Sequence, residues 1–186
     1  MRVITGSIKG QRLKTVRNRA LRPTAGKVRE ALFDILRNEI PGSVFLDLYA
    51  GTGGVGIEAL SRGAAHAIFV ESNRAAFKAL RQNIRHSGFE TKAATFEMTA
   101  AQFIRSKALH HMRFDIFFLD PPYHGSELKK VLPLLIRSDM IKPEGLMIIE
   151  HFHKTDLEST IGLLRKRRTY VYGDSCLSVY QREQDS

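Results

Sequence analysis

"FLDLYAGTGGVGIEAL", residues 45–60, decides the fold. A short apolar run carrying one carboxylate, Asp47, enters a glycine-rich turn, and the turn opens directly into a helical pattern. Gly51, Gly53 and Gly56 satisfy G-x-G-x-x-G, a spacing in which glycines allow a tight turn and close backbone approach to a bound nucleotide. Glu71 closes the next apolar run, "AIFVE", twenty residues beyond Gly51, where a carboxylate can accept hydrogen bonds from two ribose hydroxyls. Glycine turns also serve packing alone. The acidic strand end weighs against that plainer reading and points to a nucleoside-containing cofactor.

A dinucleotide would set its pyrophosphate on the helix N-terminus, whereas S-adenosylmethionine has no phosphate and carries a sulfonium with an amino-acid tail. Asp47, just before the turn, would repel pyrophosphate and suits an ammonium or sulfonium. The backbone of Tyr49, Ala50, Gly51, Thr52 and Gly53 is then expected to hold the methionine end.

Outward from this stretch, "VFLDL", "AIFVE", "TKAATFEM", "DIFFLD" and "GLMIIE" alternate with helical segments, among them Arg74 to about His86 and "SELKKVLPLLIRS". Apolar strands separated by amphipathic helices predict a doubly wound α/β fold, its mostly parallel sheet covered on both faces. "RTYVYG" and "SCLSVYQR" add an antiparallel edge, for seven strands, and a turn is expected at "KPEG". At the front, "VITGSIKGQRLKTV" reads as a β-hairpin around "SIKG". From Gly26 to Asn38, Val28, Ala31, Leu32, Ile35 and Leu36 fall at helical spacing with charges on the other side, until Pro41 and Gly42 stop the helix. Ligands of such sheets bind beyond the carboxyl ends of the strands, which singles out Asp47, Glu71, the region of Met98 and Thr99, and Asp120.

The strand ending at Asp120 continues as Asp-Pro-Pro-Tyr. The Asp120 carboxylate and the Pro121 carbonyl are acceptors, and neither Pro121 nor Pro122 has a competing N–H. The complement is an exocyclic –NH₂ on a nucleobase, with Tyr123 as a stacking face worth roughly 1–3 kcal/mol. Two acceptors holding the amine hydrogens would aim the nitrogen lone pair at a methyl donor and relieve developing positive charge, with no metal needed.

The 186 residues, 43% hydrophobic and 26% charged, fit one domain with a small extension, divided as 1–24 and 25–186. No stretch approaches the roughly 20 apolar residues that span a bilayer, and no signal-peptide core opens the chain, so a cytoplasmic protein with no membrane partner is expected. The net charge of +10 is concentrated in the first thirty residues. Arg2, Lys9, Arg12, Lys14, Arg17, Arg19 and Arg22 make the extension a candidate RNA-binding arm, against the plainer reading of a solvated basic surface. Arg165, Lys166, Arg167 and Arg168 either extend that face or cover a solvent edge. Cys176 alone can form neither an internal disulfide nor a zinc site, and the pairs His110–His111 and His151–His153 lack partner ligands, so no metal is expected. Arg22 and Thr24 in "RPT" read equally as ligand-facing residues or as a helix lead-in with Thr24 as N-cap, and Glu150, at the end of the fifth strand, as a site residue or, in preference, as a local cap or pair.

Taken together, "RVITGSIKGQRLK", "RPTAGKVREALFDIL", "FLDLYAGTGGVGIEALSRGA", "VESN", "FLDPPY" and "YGDSCLSVY" resemble the bacterial 16S ribosomal RNA guanine-N2 methyltransferases of the RsmD type over nearly the whole chain. The resemblance implies a Rossmann-like class I methyltransferase, S-adenosylmethionine as donor, and N2-methylguanine in small-subunit RNA as product. It implies assembled or nearly assembled subunits as substrate; separately, a monomer is expected. On this chain, Asp120, Pro121, Pro122 and Tyr123 match the catalytic loop, Asp47 to Gly53 the methionine-side loop, and Glu71 with Ser72 the ribose side. Members commonly carry Asp or Asn where this chain has Thr99, so adenine recognition is expected from backbone groups around Met98, Thr99 and Ala100. Members also usually have an acidic residue after "RPT", where this chain has Ala25 and Gly26.

The rivals are separable. An adenine-N6 methyltransferase shares the Asp-Pro-Pro-Tyr loop, but a DNA enzyme generally needs a recognition domain for which this chain has little room. Glutamine methylation is associated with Asn at the position of Asp120. A non-catalytic assembly factor would not need donor loop, Glu71 and Asp120 together, and an NAD-dependent oxidoreductase would need hydride-transfer residues that do not accompany the glycines.

Overall fold

The computed structural model describes residues 1–16, 26–109, 111–122 and 126–183. Among these, five parallel strands form one side of the sheet: β1 (Val44–Asp47), β2 (His66–Val70), β3 (Ala93–Phe96), β4 (Phe114–Leu119) and β5 (Ile141–Phe152). β6 (Thr160–Ile161), β7 (Leu164–Tyr172) and β8 (Ser175–Arg182) complete it, in the order β3-β2-β1-β4-β5-β8-β7-β6, with the last three joined antiparallel. The order reverses at β1, which pairs with β2 on one side and β4 on the other, so the crevice opens between Asp47 and Asp120.

The strands read as continuous apolar runs because both faces are buried. Successive side chains alternate faces. Phe45, Phe69, Ile116 and Phe118 enter one core, while Leu46, Ile68, Val70, Phe117 and Leu119 enter the other. Helices α1 (Gly26–Ile35), α2 (Gly54–Ser61) and α3 (Arg74–His86) cover the first core; α4 (Ala100–Arg105) and α5 (Glu127–Ser138) cover the second.

Four expectations are corrected. The sheet has eight strands among the described residues, not seven, because Thr160 and Ile161 add a two-residue edge too short to register as a pattern. "KPEG" is no turn between elements: β5 already pairs at Ile141 with Phe114, then bulges through Glu144 at φ 63° before resuming at Leu146 with Ile116. The first helix ends at Ile35, with Leu36 to Gly42 in turns. Its buried face holds Val28, Arg29, Leu32 and Phe33, so one charge lies on the inner side, where only apolar residues were expected.

The N-terminal hairpin is present and is more deeply integrated than an extension suggests. Val3 N–H donates to the Gln11 carbonyl at 3.0 Å and Leu13 N–H to the Met1 carbonyl at 2.9 Å, around an antiparallel bridge of Arg2 with Arg12. Val3 and Leu13 belong to the first core. The fully buried Glu58 of α2 accepts the N–H groups of Ile4 and Thr5 at 2.7 and 2.9 Å, and its third partner is Arg62 Nε at 2.8 Å. Charge-assisted bonds of this kind are worth about 1.5–3 kcal/mol each. They fasten the hairpin to the helix that follows the glycine turn.

Candidate active site

β1 ends at Asp47, and the chain turns through Tyr49 to Gly53 before α2 begins. Gly53 caps the helix at φ 88°, a left-handed conformation open to glycine. A Cβ on Gly56 would stand 2.2 Å from the Phe69 ring, so this glycine lets α2 pack on β2. A Cβ on Gly51 would meet nothing within 4 Å. Of the three glycines in the motif, Gly51 is the one that faces open space.

Two buried carboxylates hold this turn. Glu71 Oε2 accepts Gly51 N–H at 2.7 Å and Oε1 accepts Asn73 N–H at 2.6 Å. A carboxylate has about four acceptor sites, so each oxygen keeps a lone pair for a hydroxyl. Asp47 Oδ2 accepts Gly56 N–H at 3.1 Å. Burial pushes the Asp47 carboxyl up to about 7, against the pull of that hydrogen bond and with the Glu71 charge adding to the rise. A cation seated beside Asp47 would reverse the shift. Tyr49 packs its ring on the second core, and burial, with Glu127 nearby, holds its hydroxyl well above the ordinary tyrosine value.

Asn83 of α3 was not singled out from the sequence. Its buried amide donates to the Thr52 carbonyl at 2.8 Å and the Lys14 carbonyl at 3.0 Å, and accepts Lys14 N–H at 2.8 Å. The hairpin and the glycine turn therefore share one side chain.

Across the crevice, β4 delivers Asp120, half-buried, then Pro121, buried, and Pro122, exposed. Tyr123 lies outside the described residues. Asp120, Asp47, Tyr49, Ala50, Gly51 and Thr52 line one narrow cleft of about 60 Å³, which is also lined by Met1 and Arg29. Ser72 is exposed beside Glu71. Thr99 is exposed and caps α4: its hydroxyl accepts Gln102 N–H at 3.2 Å, while Gln102 Oε1 accepts Thr99 N–H at 2.9 Å. That reciprocal cap occupies the Thr99 N–H, and leaves the backbone of half-buried Met98 and buried Ala100 as the neighbouring groups.

Arg2, Lys9, Arg12 and Lys14 are exposed along the hairpin, whereas Arg17, Arg19, Arg22 and Thr24 lie outside the described residues. A hollow of about 750 Å³ between hairpin and α3 is lined by Arg12, Lys14, Gln82, Arg85 and His86. The second basic group lies on β7, near the opposite edge of the sheet, so it does not extend the hairpin face. Glu150 and His151 are interior residues of β5. His151 Nε2 lies 2.8 Å from the Ser178 hydroxyl, and burial lowers its pKa, as expected of a packing histidine. Cys176 is buried in β8.

Residues 1–181 match the family model described as conserved hypothetical protein 95. A protein of Bacillus subtilis (strain 168) named putative rRNA methyltransferase YlbH is 36% identical over 182 residues, 98% of this chain and 99% of the relative. Ribosomal RNA small subunit methyltransferase D of Escherichia coli (strain K12) is 32% identical over 185 residues, 98% of this chain and 90% of the relative. Among solved structures, putative methyltransferase yhhF from Escherichia coli superposes with a TM-score of 0.88 at 31% identity, covering 100% of this chain and 99% of its own.

Proposed function

We propose that this chain, which belongs to the conserved hypothetical protein 95 family of RsmD-type ribosomal RNA methyltransferases, methylates the exocyclic N2 amine of a guanine in 16S ribosomal RNA, with S-adenosylmethionine as donor. The observation that carries this reading is the facing pair of strand ends. One offers a glycine turn pinned by buried carboxylates, the other a carboxylate followed by two prolines without N–H groups, and both line one cleft.

The residues fit the donor. The open face at Gly51 admits close backbone approach, Glu71 keeps lone pairs for ribose hydroxyls, and Asp47 is a buried carboxyl suited to a cationic neighbour. Asp47, Tyr49, Ala50, Gly51, Thr52 and Gly53 would hold the methionine end, Glu71 and Ser72 the ribose, and the backbone of Met98 and Ala100, on either side of the capped Thr99, the adenine. When bound, the donor supplies an electrophilic methyl group on a sulfonium. On the acceptor side, the Asp120 carboxylate and the Pro121 carbonyl would accept hydrogen bonds from the two amine hydrogens, and as the N–C bond forms and the S–C bond breaks one of these protons would leave to Asp120 or to water. The two acceptors direct the nitrogen lone pair into the crevice and stabilise positive charge as it forms. The prolines keep the loop stiff, and Tyr123 stacks on the guanine.

Residues 1–24 serve as the RNA-binding arm and 25–186 as the catalytic unit. Arg2, Lys9, Arg12, Lys14, Arg17, Arg19 and Arg22 meet phosphates, in support of which the first four are exposed along one hairpin. The substrate is the small subunit or its late assembly intermediate, and the enzyme acts as a cytoplasmic monomer. Among the described residues no helix is long and apolar enough to cross a membrane.

The test is transfer of labelled methyl groups to small subunits that lack the modification, with naked 16S RNA in parallel. Label in the RNA of the subunit is expected; label in protein, or none, contradicts the proposal.

A further inference from the structure

Arg29 is 4% exposed on the inner face of α1. Its Nη2 donates to the Arg2 carbonyl at 2.6 Å, while Nε and Nη1 are buried and meet no acceptor among the described residues. Leaving guanidinium donors buried and unsatisfied is costly, so a protein that keeps them has a use for them. The nearby carboxylate does not fill the gap. Glu58 acts on Arg29 through space, but its oxygens accept from Ile4, Thr5 and Arg62, and Arg62 adds a second positive charge to the neighbourhood.

Arg29 is one of the residues that line the cleft that also holds Asp47 and Asp120. The Met1 side chain fills the space between Gly54 and the guanidinium: a Cβ on Gly54 would stand 2.4 Å from the Met1 terminal methyl and 3.3 Å from Arg29 Nη1, so a ligand reaches Arg29 by displacing this unbranched side chain. One cleft thus presents buried acid and buried base. This is the charge pattern that complements an α-amino-acid zwitterion, with the ammonium on the acid and the carboxylate on the base.

We propose that Arg29 binds the carboxylate of the donor's amino-acid tail through its free N–H groups, and so selects donors and products that keep that tail. The inference rests on the reading of the donor as S-adenosylmethionine. Arginine suits the role because its planar fork remains charged when buried and matches carboxylate geometry. It also links the two substrates, since the same guanidinium holds the first hairpin strand through the Arg2 carbonyl.

The test is calorimetric binding of two nucleosides to the full chain: S-adenosylhomocysteine, which keeps the amino-acid tail, and 5′-methylthioadenosine, which lacks it. In Arg29→Met, affinity for S-adenosylhomocysteine is expected to fall about 10- to 100-fold while methylthioadenosine stays within about 2-fold, with Arg29→Lys between wild type and Met. Unchanged binding of S-adenosylhomocysteine, or equal weakening of both, overturns the inference. Should Arg29→Met fail to fold, wild type is compared on S-adenosylhomocysteine and its decarboxylated analogue. A preference of about 10-fold for the intact tail supports the role, and equal affinity overturns it. Wild type that binds neither nucleoside contradicts the donor reading itself.

Discussion

Two aspartates sit at neighbouring strand ends and do opposite work. Asp47 ends β1 fully buried and spends its carboxylate on the backbone of the next helix; Asp120 follows β4 half-buried and is followed by residues without N–H groups. The β1 side is knit by carboxylates that accept from Gly56, Gly51 and Asn73. On the β1 side these backbone donors are consumed, whereas the two residues that follow Asp120 are prolines and carry none. On the first side the carboxylate fixes the turn that leads into α2; on the second, Asp120 lines the same cleft, where the proposed function sets it against an amine.

The largest expected effect separates the two sides. Asp120→Ala should lower single-turnover methyl transfer by about 10²–10³-fold or more, while affinity for S-adenosylhomocysteine is unchanged. Loss of both in parallel would place Asp120 on the donor side and erase the contrast. Next comes Glu71→Gln, which leaves one acceptor oxygen where Gly51 and Asn73 now each have one. Affinity for S-adenosylhomocysteine should fall about 10-fold or more by calorimetry, with the saturated transfer rate much less affected. Donor binding equal to wild type would show that the turn holds without its clamp.

A smaller effect concerns pH. The ordinary aspartate value is 3.8, and burial raises Asp47 to about 7 in the folded chain. A carboxyl raised on folding favours the native state most below its unfolded value, and that contribution is lost as pH rises through the folded value. Without donor, wild type should thus lose thermal stability between about pH 4 and pH 7 relative to Asp47→Asn, whose neutral amide still accepts Gly56 N–H. Melting curves that run parallel across this range would contradict the assignment. Smallest are single charges on the hairpin. Arg12→Ala or Lys14→Ala should each weaken RNA binding modestly and reduce the salt dependence by about one counterion, with donor binding intact. An unchanged salt slope would remove that residue from the RNA face.

The same contrast separates what could be read in the sequence from what could not. Strand ends at Asp47, Glu71 and Asp120 were legible because five apolar runs alternate with helical spacing, and that pattern alone places the carboxyl ends on one edge. The antiparallel edge was legible as well, save for the two-residue β6 and the bulge at Glu144, where a local turn signal is absorbed inside a longer strand. Arg29 was missed because its charge argued for the solvent face. Its position three and four residues before Leu32 and Phe33 was the available signal, since that spacing puts it on the buried stripe. Asn83 was missed for a different reason. It joins Thr52 to Lys14 across long sequence separations, and no local pattern records which backbone carbonyls a lone amide will meet. Gly56 carried the right signal for another reason than nucleotide contact, since its missing side chain makes room for Phe69.

In the proposed reaction the β4 end receives the exocyclic amine of guanine. The most direct measurement is digestion of methylated small subunits to nucleosides after reaction with wild type, followed by mass-spectrometric identification of the modified base. N2-methylguanosine in 16S RNA is the predicted product; N6-methyladenosine, or a methyl group on a ring nitrogen or carbon, would contradict the account.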